Sequence, residues 1–166
     1  MTTADSAEIA NIVARPPVHN PVGLLGGRVR CAMGNFEAAT TDLDVADIFR
    51  LTRLPTNARV MEIKLGADNL GTTCTVDIGI YQTDGTVLDA DEFGSAVILD
   101  SAVFEVSTVI MYESAATDIV RHGDRLWERA GLSTDPGGQY DICLTVAAAT
   151  TVAAGTIAYS IYYVID

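Results

Sequence analysis

Apolar and polar residues alternate near the C-terminal end of the chain, and this alternation predicts β-strands. In residues 155–165 the large apolar side chains recur at every second position and would share one face of a strand: Ile157, Tyr159, Ile161, Tyr163 and Ile165. Residues 138–146 alternate in the same way. The two segments are predicted to fold back on each other as a hairpin. We therefore expect a soluble, mostly β domain whose last strand lies inside a sheet.

Further strands are predicted at residues 28–37, 45–54, 59–65, 72–82 and 103–112. In residues 59–65 the alternation places Met61, Ile63 and Leu65 inward, and it places Val60, Glu62 and Lys64 outward. The sequence Thr-Asp-Gly-Thr at residues 83–86 is typical of a tight turn. Short strands separated by turn signals, with little helix, favour a sandwich or a jelly roll.

Helical periodicity is weaker and is confined to short segments. Residues 6–13 predict a short helix, and residues 88–93 are expected to lead into another. The strongest helix is predicted at residues 117–130, with Gly131 placed to cap it. Its apolar stripe would consist of Ile119, Val120, Leu126, Trp127 and Ala130. The predicted fold class is mainly β, a β-sandwich or jelly-roll-like domain with one or two short helices and an extended N-terminal arm.

The distribution of Pro and Gly predicts an N-terminal arm, residues 1–27, and a β-sandwich domain, residues 28–166. Three prolines and three glycines between residues 16 and 27 forbid regular structure in the arm. The arm is either a frayed tail or a segment that reaches over a neighbouring subunit. On the second interpretation its interface residues would be Ile12, Val13, Pro16, Pro17, Val22, Leu24 and Leu25.

Composition narrows the possible partners. The formal net charge is −12, which argues against direct binding of nucleic acid or of an anionic membrane, because both would repel the chain. Charged residues make up only 19% of the chain, so apolar surface is expected to be hidden in a large core or in a subunit interface. Residues 142–165 lack charge over a length that could span a bilayer, but their alternation favours strands over a membrane helix.

Arg121, Arg125 and Arg129 recur every four residues in the predicted helix. They would either form a basic stripe that docks on an acidic partner or lie on a solvated face paired with nearby acidic residues. The acidic segment 89–100 resembles a calcium loop in spacing, but Phe93 and Val97 occupy positions that a calcium ion needs as ligands. A solvated acidic turn is the better interpretation.

No motif of catalysis or cofactor binding is present in the sequence. The three cysteines are far apart and form no C-x-x-C pair, so buried free thiols are expected rather than disulfides or a metal site. The two histidines have no catalytic or metal-ligand spacing. The first residues lack the basic and apolar regions of a signal peptide, which indicates synthesis in the cytoplasm. We expect a protein that is not an enzyme and that needs no cofactor or metal.

Several segments together resemble small structural proteins of tailed bacteriophages, especially head decoration (cement) proteins. The segments that carry the resemblance are residues 26–30, 46–60, 75–81, 125–128, 138–142 and 155–157. The resemblance implies a β-sandwich protein, a homo-oligomer and most simply a trimer, located in the virion on the outer capsid surface. Its partner would be the major capsid protein, and it would hold the expanded shell against the pressure of packaged DNA without any chemistry.

Two other functions stay open at the level of the sequence. One is another virion part, such as a β-sandwich of the tail or baseplate. The other is a carbohydrate-binding jelly roll that uses the acidic segment together with exposed aromatic residues such as Tyr81 or Tyr112. Calcium dependence or glycan binding would favour the second alternative.

Overall fold

The computed structural model describes residues 6–99, Met111 and residues 119–166. The predicted strand at residues 103–112 lies outside the described residues apart from Met111. The elements are helix α1 (Ala7–Val13), β1 (Val29–Ala38), a 3-10 helix (Thr40–Asp42), β2 (Ile48–Pro55), β3 (Ala58–Ala67), β4 (Gly71–Thr72), β5 (Thr75–Gln82), β6 (Val87–Ile98), a second 3-10 helix (Ile119–Arg121), α2 (Leu126–Arg129), β7 (Gln139–Ala148), β8 (Thr151–Val152) and β9 (Gly155–Ile165).

These strands form antiparallel sheets that confirm the predicted β-sandwich. One sheet has the order β1-β9-β3, a second has the order β2-β7-β5-β6, and β4 pairs with β8 in a small third sheet. The two larger sheets bury a common core of aliphatic side chains. From the three-stranded sheet these include Ile63, Leu65, Ile157 and Ile161, and from the four-stranded sheet Val76, Ile78, Ile80, Ile142 and Leu144.

The last two long strands do not form the predicted hairpin. β7 lies between β2 and β5, whereas β9 lies between β1 and β3 in the other sheet. Each strand alternates as predicted because each occupies the centre of its own sheet, and alternation carries no information about which strands are neighbours. The expectation that the last strand lies inside a sheet is confirmed.

A β-bulge reverses the side-chain directions predicted for the first part of residues 59–65. Val60 pairs with Tyr163 and Glu62 pairs with Tyr162, so Met61 is the extra residue. As a result Val60 is fully buried and Met61 is exposed, the reverse of the prediction, while Ile63 and Leu65 point inward as expected.

A larger bulge replaces the helix expected from residues 88–93. Those residues belong to β6, where the partner of Ile78 is Gly94 and the partner of Ile80 is Asp89. The extra residues of β6 fold over Gly79 of β5. Acidic residues at this point favour a bulged strand rather than a helix, because the carboxylate of Glu92 is buried and paired with arginines.

The helix predicted at residues 117–130 is also wrong over its described part, residues 119–130. The backbone is interrupted at Gly123 and at Arg125, which is extended, so only two short turns of helix remain. Ile119 and Val120, expected on an apolar stripe, are 79% and 86% exposed, while Arg129 is buried. Gly131 does follow the second turn with a positive φ of 77°, as its predicted capping role requires.

Candidate docking surface

The N-terminal arm is folded on itself and presents its apolar residues outward. The Ser6 hydroxyl accepts a hydrogen bond from the backbone N–H of Ile9 and caps α1, which confirms the short helix predicted there. Asn20 holds the return segment to the helix, because its side chain donates to the carbonyl of Glu8 and accepts from the Asn11 amide. α1 has no buried residue.

All seven interface residues predicted in the arm are exposed in the structure. The exposed residues are Ile12, Val13, Pro16, Pro17, Val22, Leu24 and Leu25, with Ile9 and Val18 in addition. Exposed apolar residues that occur singly are normal, but this many within one short segment make the arm a candidate docking surface.

The base of the arm lies against the outer face of the three-stranded sheet. Gly27 approaches Val164 so closely that a Cβ on Gly27 would lie 2.4 Å from Cγ1 of Val164. A Cβ on Gly23 would lie 1.7 Å from Oδ1 of Asp166. Only glycine permits these approaches. A cavity of about 380 Å³ remains between the arm and the sheet, lined by residues that include Leu24, Met61 and His122.

The same outer face continues along β1, where sequence reasoning did not place an interface. Val29, Cys31 and Met33 follow one another at alternate positions of this edge strand, and all three are exposed, Met33 at 69%. The expectation that Cys31 is buried is therefore wrong, whereas Cys74 and Cys143 are buried and form no disulfide within the described residues, as predicted. No sequence signal marks this face, because it depends on the position of β1 at the edge of the folded sheet.

Arg121, Arg125 and Arg129 do not form a stripe for a partner. Arg129 is buried, and its Nη1 donates to Oε1 of Glu92 in β6 at 2.7 Å. Arg121 donates to the other oxygen of Glu92 at 3.0 Å and also pairs with Asp124. Arg121 and Arg129 fasten residues 119–130 to the four-stranded sheet through Glu92, whereas the pair of Arg121 with Asp124 is partly exposed.

Arg125 belongs to a second ion-pair group at the end of β9. Its Nε donates to Oδ2 of Asp166 at 2.8 Å, and the Nη2 of Arg59 in β3 donates to the same oxygen at 2.8 Å. The Arg59 guanidinium also donates to the carbonyl of Gly123. Partial burial raises the pKa of Asp166, but the hydrogen bonds and charges of Arg59 and Arg125 outweigh it, so the pKa lies below its usual value.

We expect Asp166→Asn to destabilise the fold at neutral pH and to be harmless in acid. A carboxylate whose pKa is lowered on folding stabilises the native state above its unfolded pKa, and this contribution is lost as the pH falls through the folded pKa. The melting temperatures of the two proteins should therefore differ by a few degrees at pH 7, and the difference should shrink as the pH falls below ~3.9, the usual pKa of an aspartate. A constant difference across this pH range would contradict the assignment.

The structure offers no support for a metal or sugar site in the described residues. Among residues 6–99, 111 and 119–166 no group of three or more His, Cys, Asp or Glu side chains could hold a metal ion. Asp100, the last position of the calcium-like spacing, lies outside that part. Tyr81 is only 1% exposed, so it cannot stack on a sugar, and Tyr112 also lies outside the described residues. No helix in the described ranges has the length and apolar character needed to cross a membrane.

Comparison with known proteins identifies the fold. No protein-family model matches the chain, and no curated protein matches it. A chain in the capsid asymmetric unit of cyanophage Pam1 aligns over 100% of both chains, with 22% sequence identity and a TM-score of 0.56. This chain shares its fold from end to end with that capsid component.

Two further solved structures are similar at lower scores. A chain in the capsid of Ralstonia phage GP4 is 24% identical, covers 82% of this chain and 85% of its own length, and gives a TM-score of 0.45. A chain in the acidic stable capsid structure of Helicobacter pylori bacteriophage KHP30 is 15% identical, with coverages of 82% and 87% and a TM-score of 0.40.

Proposed function

We propose that this chain is a virion structural protein, and more narrowly a capsid decoration (cement) protein. It binds the outer surface of the major capsid shell and stabilises the expanded head, and its role is structural, not catalytic. The observation that carries the proposal is the fold shared from end to end with a chain of the Pam1 capsid asymmetric unit. The exposed apolar surface of the arm and of β1 supports it, because a cement protein acts by burying interface area.

The surface that docks on the shell is the outer face of β1, which we call the β1 face and define by Val29, Cys31 and Met33. It is apolar and exposed, and it lies on an edge strand where Met33 is 69% exposed. Arg30 neighbours Val29 in the same strand, so its side chain points to the opposite face and does not belong to the β1 face. A partner with apolar groups would therefore be bound by this face.

Many such contacts would act together on a capsid. Each copy of the β1 face contributes a modest affinity, but an oligomer that bridges several capsid subunits gains from the high effective concentration of its remaining faces. A protein of this kind can reinforce a shell while each single contact stays weak.

Labelling of Cys31 tests the proposal on the unmodified protein. In the free protein a maleimide should label Cys31 rapidly and leave Cys74 and Cys143 unlabelled, because both are buried and burial raises the pKa of Cys143 to about 12. When the protein is bound to expanded capsids of the same phage that lack it, labelling of Cys31 should slow at least tenfold. Full labelling of Cys31 in protein that sediments with the capsids would contradict the proposed face.

A pair of matched variants distinguishes disruption of the β1 face from a general effect of an added charge on the fold. Met33→Asp should reduce capsid occupancy tenfold or more, since it places a charge in the proposed contact. Val87→Asp, at an exposed position on β6 in the other sheet, should leave occupancy unchanged. Failure of the wild-type protein to bind the capsid would refute the decoration role itself.

A further inference from the structure

A groove that contains two phenylalanines and has an acidic rim lies at one end of the sandwich, between β1 and β2. Phe36 and Phe49 stack in it with ring centroids 4.9 Å apart, and the exposed side chain of Ile48 stands beside them. Its volume is about 410 Å³, and its rim carries the carboxylates of Glu37, Asp42 and Asp47. Within the described ranges none of these three carboxylates pairs with a basic side chain. We call this site the acidic groove.

Free positive charge in this chain is confined to the arm and the residues that follow it. Seven of the ten basic residues form ion pairs: Arg50, Arg53, Arg59, Lys64, Arg121, Arg125 and Arg129. The other three, Arg15, Arg28 and Arg30, form none with the described residues. Because copies with a net charge of −12 repel each other, contact between two copies needs local complementarity. The arm of one copy and the acidic groove of another provide it.

The arm also carries an exposed apolar helix face. Ile9, Ile12 and Val13 lie at spacings of three and four on α1, so they form one apolar stripe, and Arg15 follows the helix C-terminus two residues later. An amphipathic helix that lies in an apolar groove is a common mode of recognition. Here the stripe would cover Ile48 and the two phenylalanines, and Arg15 would meet the carboxylates on the rim.

The acidic groove lies at the opposite end of β1 from the arm of its own chain. The arm meets the sheet where Val29 pairs with Val164, whereas Glu37 and Phe36 lie at the opposite end of β1, next to Thr156 and Ile157. The eight steps along β1 from Val29 to Glu37 span roughly 26 Å. We propose that α1 of one copy docks into the acidic groove of a second copy, so that copies associate head to tail.

This contact goes beyond the proposed function, because it concerns copies of this chain alone and is measured without any capsid. A head-to-tail contact joins two different surfaces, and it closes into a ring when the rotation between copies allows. The trimer implied by the resemblance to decoration proteins is one such ring.

Sedimentation of full-length variants, alone and mixed, tests the proposal. The arm variant Ile12→Asp/Val13→Asp and the groove variant Ile48→Asp change only exposed side chains, so both should fold. We expect each variant alone to associate at least tenfold more weakly than the wild type. An equimolar mixture should form a heterodimer, because the groove variant keeps an intact arm and the arm variant keeps an intact groove. Val87→Asp, exposed in the other sheet, should associate like the wild type.

Three results would overturn the proposal: a monomeric wild type, wild-type association in either variant alone, or a mixture that stays monomeric. A contact between two arms would leave the groove variant associating like the wild type, and a contact between two grooves would leave the arm variant doing so, so the single variants separate head-to-tail docking from symmetric contacts. Loss of capsid binding in the Met33→Asp variant with self-association unchanged would leave this inference standing, because the β1 face and the acidic groove are separate surfaces.

Discussion

Glu92→Gln should destabilise the sandwich by about 3 kcal/mol or more. The variant leaves the buried guanidinium of Arg129 without the carboxylate that now lies 2.7 Å away, and removing one partner of a buried ion pair typically costs ~3–5 kcal/mol. Arg121 loses its second acidic partner in the same step. Since domains of this kind are stable by only ~5–15 kcal/mol, a large part of the stability would be lost. Urea denaturation followed by circular dichroism measures the change.

Two further variants show which ion pair is responsible for the loss of stability. Asp124→Asn removes the other ion pair of Arg121, but that pair is solvent-accessible, so the change should stay below about 1 kcal/mol. The double variant Glu92→Gln/Arg129→Met removes the orphaned charge and should recover part of the loss. If Glu92→Gln and Asp124→Asn cost the same, the pair between Glu92 and Arg129 does not fasten residues 119–130 to the sheet.

Gly79→Ala should be the most damaging of the single methyl additions in the core. A Cβ at this position would lie 2.1 Å from the carbonyl oxygen of Asp89 and 2.4 Å from the carbonyl carbon of Ala90. Both contacts are with backbone, so β6 would have to move away from β5, and we expect a loss of about 3 kcal/mol or more. Thermal unfolding of the purified variant gives the measurement.

Gly94→Ala is the matched control, because Gly94 is also a buried strand glycine in the same sheet. Its added Cβ would lie 3.1 Å from Cγ2 of Val97, the end of a side chain that can shift. A loss of about 1 kcal/mol or less is expected there. Equal losses in the two variants would show that the bulge of β6 does not press on Gly79.

Local patterns predicted the strands better than their partners. The alternation in residues 155–165 placed Ile157 and Ile161 in the core correctly, because side-chain direction depends only on the strand itself. The hairpin between β7 and β9 was wrong because the choice of neighbour depends on the whole sheet. The bulges at Met61 and at residues 90–93 could not be predicted either, since an extra residue in a ladder is decided by the partner strand.

In the candidate interface, too, features set by local sequence could be predicted, and features set by tertiary contacts could not. The apolar residues of the arm, such as Ile12 and Leu25, are predicted from composition and are exposed in the structure. The arginine stripe assumed one continuous helix, and it failed because Glu92, distant in sequence, attracts Arg121 and Arg129 inward. The β1 face and the acidic groove depend on which strands form the sheet edges, which the sequence does not reveal.

The central position of β9 sets the order in which the three-stranded sheet can form. β1 and β3 do not pair with each other, and both make their ladders with β9, which follows β1 by more than a hundred residues. During synthesis, two of the three strands must wait until the third has left the ribosome. Such non-local pairing slows folding. The β1 face and the acidic groove both include β1, so neither surface is complete before the last strand is in place. An unfinished chain therefore presents neither surface.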